Sequence, residues 1–175
     1  MHPGAFILAL LSAVLSYLAL LVLPEVPVRN LDAGDLAPGI IFGVLVLAAR
    51  PLGVAGIVFL VVLSAIVHVG ARETALTLYA KSWPTVVACA VAGMLAAFVL
   101  SVAYSRLAHQ AAAWRNNLRS AALGGGAGIL IGLALEVTQD MLQHALIFSG
   151  YALWQVGFAL ANEIVPRWWP GSTRP

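Results

Sequence analysis

A chain of 175 residues that is 62% hydrophobic and 9% charged, with a mean hydropathy of +0.97, lacks the polar surface to face water on all sides. Soluble domains carry about a quarter charged residues, so most of this exterior must face lipid. The net charge of +2 comes from Arg and Lys scattered through separate segments, which excludes a nucleic-acid footprint and a polybasic lipid-binding tail.

The single cysteine, Cys89, lies within an apolar run, which rules out an intramolecular disulfide and an all-cysteine metal site. One integral membrane domain covering 1–175 is expected, multi-pass and in the plasma (inner) membrane, with membrane lipid as its first partner and no nucleic acid. HExxH, P-loop, GxSxG and CxxC patterns are missing, and Lys81 is the only lysine. Nothing therefore nominates an enzyme or a cofactor.

Taken in order, the first apolar run, Gly4–Leu23, stops at Pro24. No Lys or Arg precedes it, and Leu23-Pro24-Glu25 is not a small-residue cleavage site, so the run reads as a retained span and not a signal peptide. Its Ala5, Ala9 and Ala13 form a small-residue face. After a polar loop with Glu25, Arg29, Asp32 and Asp35, the stretch Leu36–Ala49 is about 21 Å long as a helix, short of a bilayer core. Asp35 is placed to cap it, and Pro38 suits its first turn. It reads either as a short tilted span or as a re-entrant helix. Arg50 sits at the break that follows, snorkelling to phosphate or facing a cavity. The next helix is expected from Pro51 to Val69, with His68 at its far end, followed by a mixed loop Gly70–Ser82 containing Arg72, Glu73 and Lys81.

Ser82-Trp83-Pro84 is expected to open a fourth helix running to Tyr104, with Ser82 as its cap. The connection 106–119 is the most basic, with Arg106, Arg115 and Arg119. A helix over Ser120–His144 follows, then a final apolar run Ala145–Val165 and an interfacial anchor, Pro166-Arg167-Trp168-Trp169. The fold class is thus all-α: a polytopic transmembrane helical bundle of six spans, or of five plus a re-entrant helix. With the 106–119 connection and the C-terminal tail inside, Lys and Arg divide six to three in the first case and seven to two in the second. Both fit the positive-inside bias.

The Ser120–His144 stretch carries a four-residue period: Gly124, Gly128, Gly132, Glu136, Asp140, His144. Residues four apart share nearly one helix face. The glycines would let a neighbouring backbone approach, from another helix of this chain, a second copy or another protein. Glu136, Gln139, Asp140, Gln143 and His144 would form a polar ridge. An ionisable group inside a span suggests a site, so Glu136 is either part of a solute or proton path or a hydrogen-bonding strut between helices. His68, His144 and Asp140 carry donor types that suit a transition metal, although a lone interfacial histidine is ordinarily packing; no metal site is assigned. Asn162, Glu163 and Arg167 permit an i,i+4 ion pair.

Glu136-Val137-Thr138-Gln139, followed by Asn162, resembles the Glu-x-x-Gln … Asn pattern of VanZ-like membrane proteins. The aspartate that family places four residues before the Asn is Phe158 here, and its Lys/His-bearing first motif is missing. The length, the six-span option and the Ala5/Ala9 face are similar to substrate-binding subunits of energy-coupling-factor vitamin transporters, which implies a solute-binding membrane subunit. The expected function is a non-catalytic subunit that binds or passes a small solute or proton through the 120–144 polar cluster. The alternatives are an accessory subunit docking through its glycine face, and a VanZ-like or lipid-modifying protein.

Overall fold

The computed structural model describes residues 3–23, 33–47, 52–110 and 113–164. They form six helices: α1 (Pro3–Val22), α2 (Ala33–Leu45), α3 (Gly53–Ala80), α4 (Thr85–Leu107), α5 (Ala113–Glu136) and α6 (Asp140–Ala161). Five are long and apolar enough to cross a membrane. The 13-residue α2 is only about 20 Å long and is not.

On α1 and along much of α4 the inward residues are small, while large side chains such as Phe42, Leu60, Leu100 and Phe158 fill the centre. On α1 the inward residues are Gly4, Ala5, Ala9, Ser12, Ala13 and Ser16, while Ile7, Leu11, Leu18 and Leu21 face outward. On α4 Ala88, Ala92, Ala97 and Ser101 are buried and Val87, Leu95 and Val99 are exposed. Lipid is as apolar as leucine, so burial alone does not draw large side chains inward, whereas small ones let helices touch.

Each helix packs on the next in sequence, and α6 closes back onto α1, so the bundle is a ring whose most extensive interface is α4 on α5. Gly39 lies against Ser64 and Ala65, and Gly43, one turn later, against Val61, one turn earlier on α3. α2 therefore descends antiparallel to α3 to the end where α3 begins. Leu20 in the last turn of α1 shares a chamber with Leu76 of α3 and Leu135 of α5. That fixes two ends of the ring: a basic end, with the start of α1 and the α4–α5 connection, and a distal end, with the α3–α4 and α5–α6 turns.

Several boundaries differ from the expected ones. Asp35 lies inside α2, not ahead of it. The expected 70–82 loop is largely helix, since α3 runs on to Ala80 and reaches about 42 Å. Ser82 does not cap α4; it sits at φ 65° after α3, with Ser82 N–H on Tyr79 O and Trp83 N–H on Leu78 O. This is a Schellman stop. His109 after α4 and Glu163 after α6 repeat it, at φ 49° and 51°.

The largest correction concerns Ser120–His144. α5 starts earlier, at Ala113, and ends at Glu136, so Asp140, Gln143 and His144 belong to α6. By Glu136 the helix is already about 36 Å long, enough to cross the bilayer. β-Branched Val137 and Thr138 follow, Gln139 takes an extended backbone as N-cap, and Asp140 places a carboxylate in the first turn of α6, where the helix dipole favours it. His2, Glu25, Arg29, Asp32, Arg50, Arg167 and the Pro166–Trp169 anchor lie outside the described residues.

An aromatic plug fills the ring's middle. Phe42 of α2 is fully buried, 5.2 Å from the Trp154 ring and 5.4 Å from Phe158; Tyr104 of α4 meets Phe158 edge-on at 6.1 Å. This explains the place of the short α2: it carries the ring that closes the centre.

Candidate functional site

Above the plug, in the distal half, the helices line a half-open chamber of about 380 Å³. Small residues make up its α4–α5 wall, Ala92, Gly93 and Ala96 of α4 beside Gly124, Ala127 and Gly128 of α5, and Gly150 of α6 lies against Ile131. Three of these glycines serve helix contact. A Cβ on Gly93 or Gly124 would strike the other's backbone, and one on Gly128 would strike Cys89 O; Gly132, beyond the chamber, lies against Val86. The expected glycine face is real, and α4 occupies it, so it offers no docking surface to a second chain. Ala5, Ala9 and Ala13 are likewise buried within the ring.

The polar part of the wall is concentrated on α3 and α6. His68 and Arg72 are one turn apart on α3, and Tyr151 and Trp154 one turn apart on α6. The imidazole of His68 stacks on Trp154 (5.6 Å between centroids, 25° between planes), and its Nε2 lies 3.3 Å from the Tyr151 hydroxyl. Arg72, towards the distal end, contacts Glu73 Oε1 at 3.1 Å and is itself exposed. The indole N–H of Trp154 is buried with no hydrogen-bond partner among the described residues. Among the described residues no Asp or Glu lines the chamber.

The basic end is closed differently. Asn162 Nδ2 donates to Ser120 Oγ at 2.8 Å and to Phe158 O at 3.0 Å. The Ser101 hydroxyl lies 2.8 Å from Asn117 Oδ1 and 2.9 Å from Asn162 Oδ1, and with one proton it donates to one at a time. Ser105 adds a contact to Asn117, and Gln110 Nε2 donates to the Asn162 carbonyl. These amides and hydroxyls are uncharged, so they clamp α4, α5 and α6 together without offering an ionisable relay.

The residues singled out in the sequence are thus redistributed. Glu136, Gln139, Asp140 and His144 are exposed, and Gln143 half-buried, at the α5–α6 turn; none lines the chamber. They do not form one helical ridge, because the turn divides them. His144 packs edge-on against Tyr17 (6.1 Å), while His68 engages Tyr151 and Trp154. Among the described residues no three His, Cys, Asp or Glu side chains gather as a metal site. Gln139 and Asn162 cap opposite ends of α6, about 34 Å apart, so the Glu-x-x-Gln … Asn pattern is not assembled. Sequence reasoning passed over Arg72, Tyr151 and Trp154. A His-x3-Arg step on α3 and a Gly-Tyr-x2-Trp step on α6 carry that signal, but the first was read as falling in a loop.

Comparisons with protein-family models, with curated proteins and with solved structures find no match.

Proposed function

We propose that this chain is a non-catalytic, multi-pass protein of the plasma membrane that binds a small solute in the distal chamber, with its basic end towards the cytoplasm. The observation that carries the reading is the chamber itself, about 380 Å³ framed by five of the six helices and bearing a stacked imidazole–indole pair on one wall. Pockets of this size, mostly apolar with a few convergent polar groups, are the usual form of a small-molecule site. The packing around it supports the same reading. Below it, the aromatic plug and the amide clamp tie the helices together, so the open space is confined to the distal half. Orientation follows from Arg106, Arg115 and Arg119 at one end against Arg72 and Lys81 at the other.

The test is to purify the protein in mild detergent and identify released small molecules by mass spectrometry, beside Ala75→Phe, which fills the chamber from α3. The reading expects a small molecule in the wild type that is lost in Ala75→Phe while the melting temperature holds. Glu136→Gln, at the exposed turn, should retain it. An equal yield from wild type and Ala75→Phe counts against the chamber; loss in Glu136→Gln alone returns the site to the α5–α6 turn.

A further inference from the structure

Resting on that reading, we infer that the chamber's solute is an uncharged, largely hydrocarbon molecule or chain drawn from the bilayer, with no charged group inside the chamber. Among the described residues, thirteen of the eighteen that line the space are glycine, alanine, leucine or isoleucine. The polar groups among the rest are already engaged within the protein. The Arg72 guanidinium is paired with Glu73 Oε1 at 3.1 Å, and the pair is neutral as a whole. His68 Nε2 and the Tyr151 hydroxyl lie 3.3 Å apart, and the imidazole stacks on Trp154. The Trp154 indole nitrogen is buried, so that ring presents carbon to the space. Cys89 adds a thiol, which is a weak donor and a weak acceptor.

Each kind of occupant meets this wall differently. A charged solute would lose its hydration and find no unengaged counter-charge, the costliest form of burial. Water needs several polar partners, and apolar cavities without them stay dry and admit hydrocarbon. An empty space would leave its wall atoms without dispersion partners. Hydrocarbon supplies those contacts and asks for no hydrogen bond. The route in follows from the mouth. Leu76 of α3 and Leu135 of α5 line the chamber and are also 49% and 59% exposed, so its inner surface runs on into the outer apolar surface of the bundle. Leu20 of α1 is a third apolar residue there. On α5 the lining runs from Gly124 to Leu135, eleven residues or about 16 Å along the helix, which lets a chain enter end-on from the distal leaflet.

The single Cys89 on the chamber wall gives a direct readout. Purified wild-type protein in mild detergent is treated with N-ethylmaleimide in the presence of butylbenzene, 4-phenylbutyrate or 3-phenylpropylammonium, compared at equal mole fraction in the micelle. The three share a phenylpropyl body and end in methyl, carboxylate or ammonium. Thermal shifts with the same compounds serve as a second measurement that does not depend on the thiol. Butylbenzene should slow Cys89 modification at about tenfold lower mole fraction than either ion, because an unpaired buried charge costs at least that factor. Its thermal shift should vanish in Ala75→Phe. Mass spectrometry of organic-solvent extracts separates the two sources of hydrocarbon: a phospholipid enriched in wild type over Ala75→Phe means an inserted acyl tail, and a neutral lipid means a whole molecule. Protection by either ion at the same mole fraction as butylbenzene, or a lower one, overturns the hydrocarbon assignment while leaving the chamber as a binding site. No protection and no thermal shift from any of the three overturns the chamber reading itself.

Discussion

Gly132 and Gly125 lie on the same helix, two turns apart, and differ in what a methyl group would meet. A Cβ at Gly132 would fall 2.6 Å from Val86 Cα, backbone that cannot rotate aside, whereas one at Gly125 would rest 3.6 Å from Met94 Cβ, an ordinary contact. Contact becomes ordinary from 3.4 Å, so Gly132→Ala requires α4 and α5 to part by about 0.8 Å. A gap of that size forfeits a quarter to a half of the dispersion well for atoms it separates, and it acts on the most extensive interface in the ring. Overpacking of this kind costs about 1–3 kcal/mol. Both substitutions share the gain of replacing helical glycine by alanine, about 0.5–1 kcal/mol. Gly125→Ala should therefore be neutral to stabilising, and Gly132→Ala should lie about 2 kcal/mol below it. The measurement is a reversible SDS titration in mixed micelles followed by far-ultraviolet circular dichroism. If Gly132→Ala unfolds at the same SDS fraction as Gly125→Ala or later, the close α4–α5 approach is not what the glycines are for.

Two further outcomes follow from the caps and the clamp. Asn162→Leu removes the shared partner of Ser101 and Ser120 in a buried setting and should cost about 2 kcal/mol in the same titration; a change below about 0.5 kcal/mol, the average for a single hydrogen bond between membrane helices, would demote the clamp to a bystander. Ser82→Gly and Glu163→Gly relieve left-handed backbone at the ends of α3 and α6, where a side chain costs about 1–2 kcal/mol. After the entropy lost by glycine, each should raise stability by about 0.5–1 kcal/mol, and a lowered melting temperature for either would refute the assignment of those stops.

Membrane character, helix number and the glycine contact were legible because each depends on local composition: long apolar runs, and small residues at i, i+4. The turn after Glu136 was not. Its four-residue period continues unbroken from Gly124 to His144, and periodicity cannot see that a helix has already crossed the bilayer. What ends α5 is length together with two β-branched residues and an acid that suits the start of the next helix, and no glycine or proline marks the place. The opposite error befell α3, whose charged residues Arg72 and Glu73 look like loop but ride on a helix about 12 Å longer than the hydrocarbon core. Asn162 and Asn117 carried no sequence signal of partnership, since their meeting depends on three helices converging at the basic end.

The two halves of the ring differ in how they are held, and the difference bears on binding. At the basic end α4, α5 and α6 are tied by directional bonds among Ser101, Asn117, Ser120 and Asn162, and below the chamber Phe42, Trp154 and Phe158 fill the axis. At the distal end among the described residues the only ion pair is exposed and adjacent in sequence, and the central space is open. Conformational freedom concentrates where buried contacts are fewest, so the distal helix ends are the ones able to part for a solute while the base keeps its register. Filling the chamber should then rigidify the distal end without touching the amide clamp. Amide exchange in the last turns of α3 and the first turns of α6 should slow when a solute binds, and exchange around Asn117 should not. A uniform slowing along all six helices would mean that the ring responds as one body, and the separation of a fixed base from an opening mouth would fall.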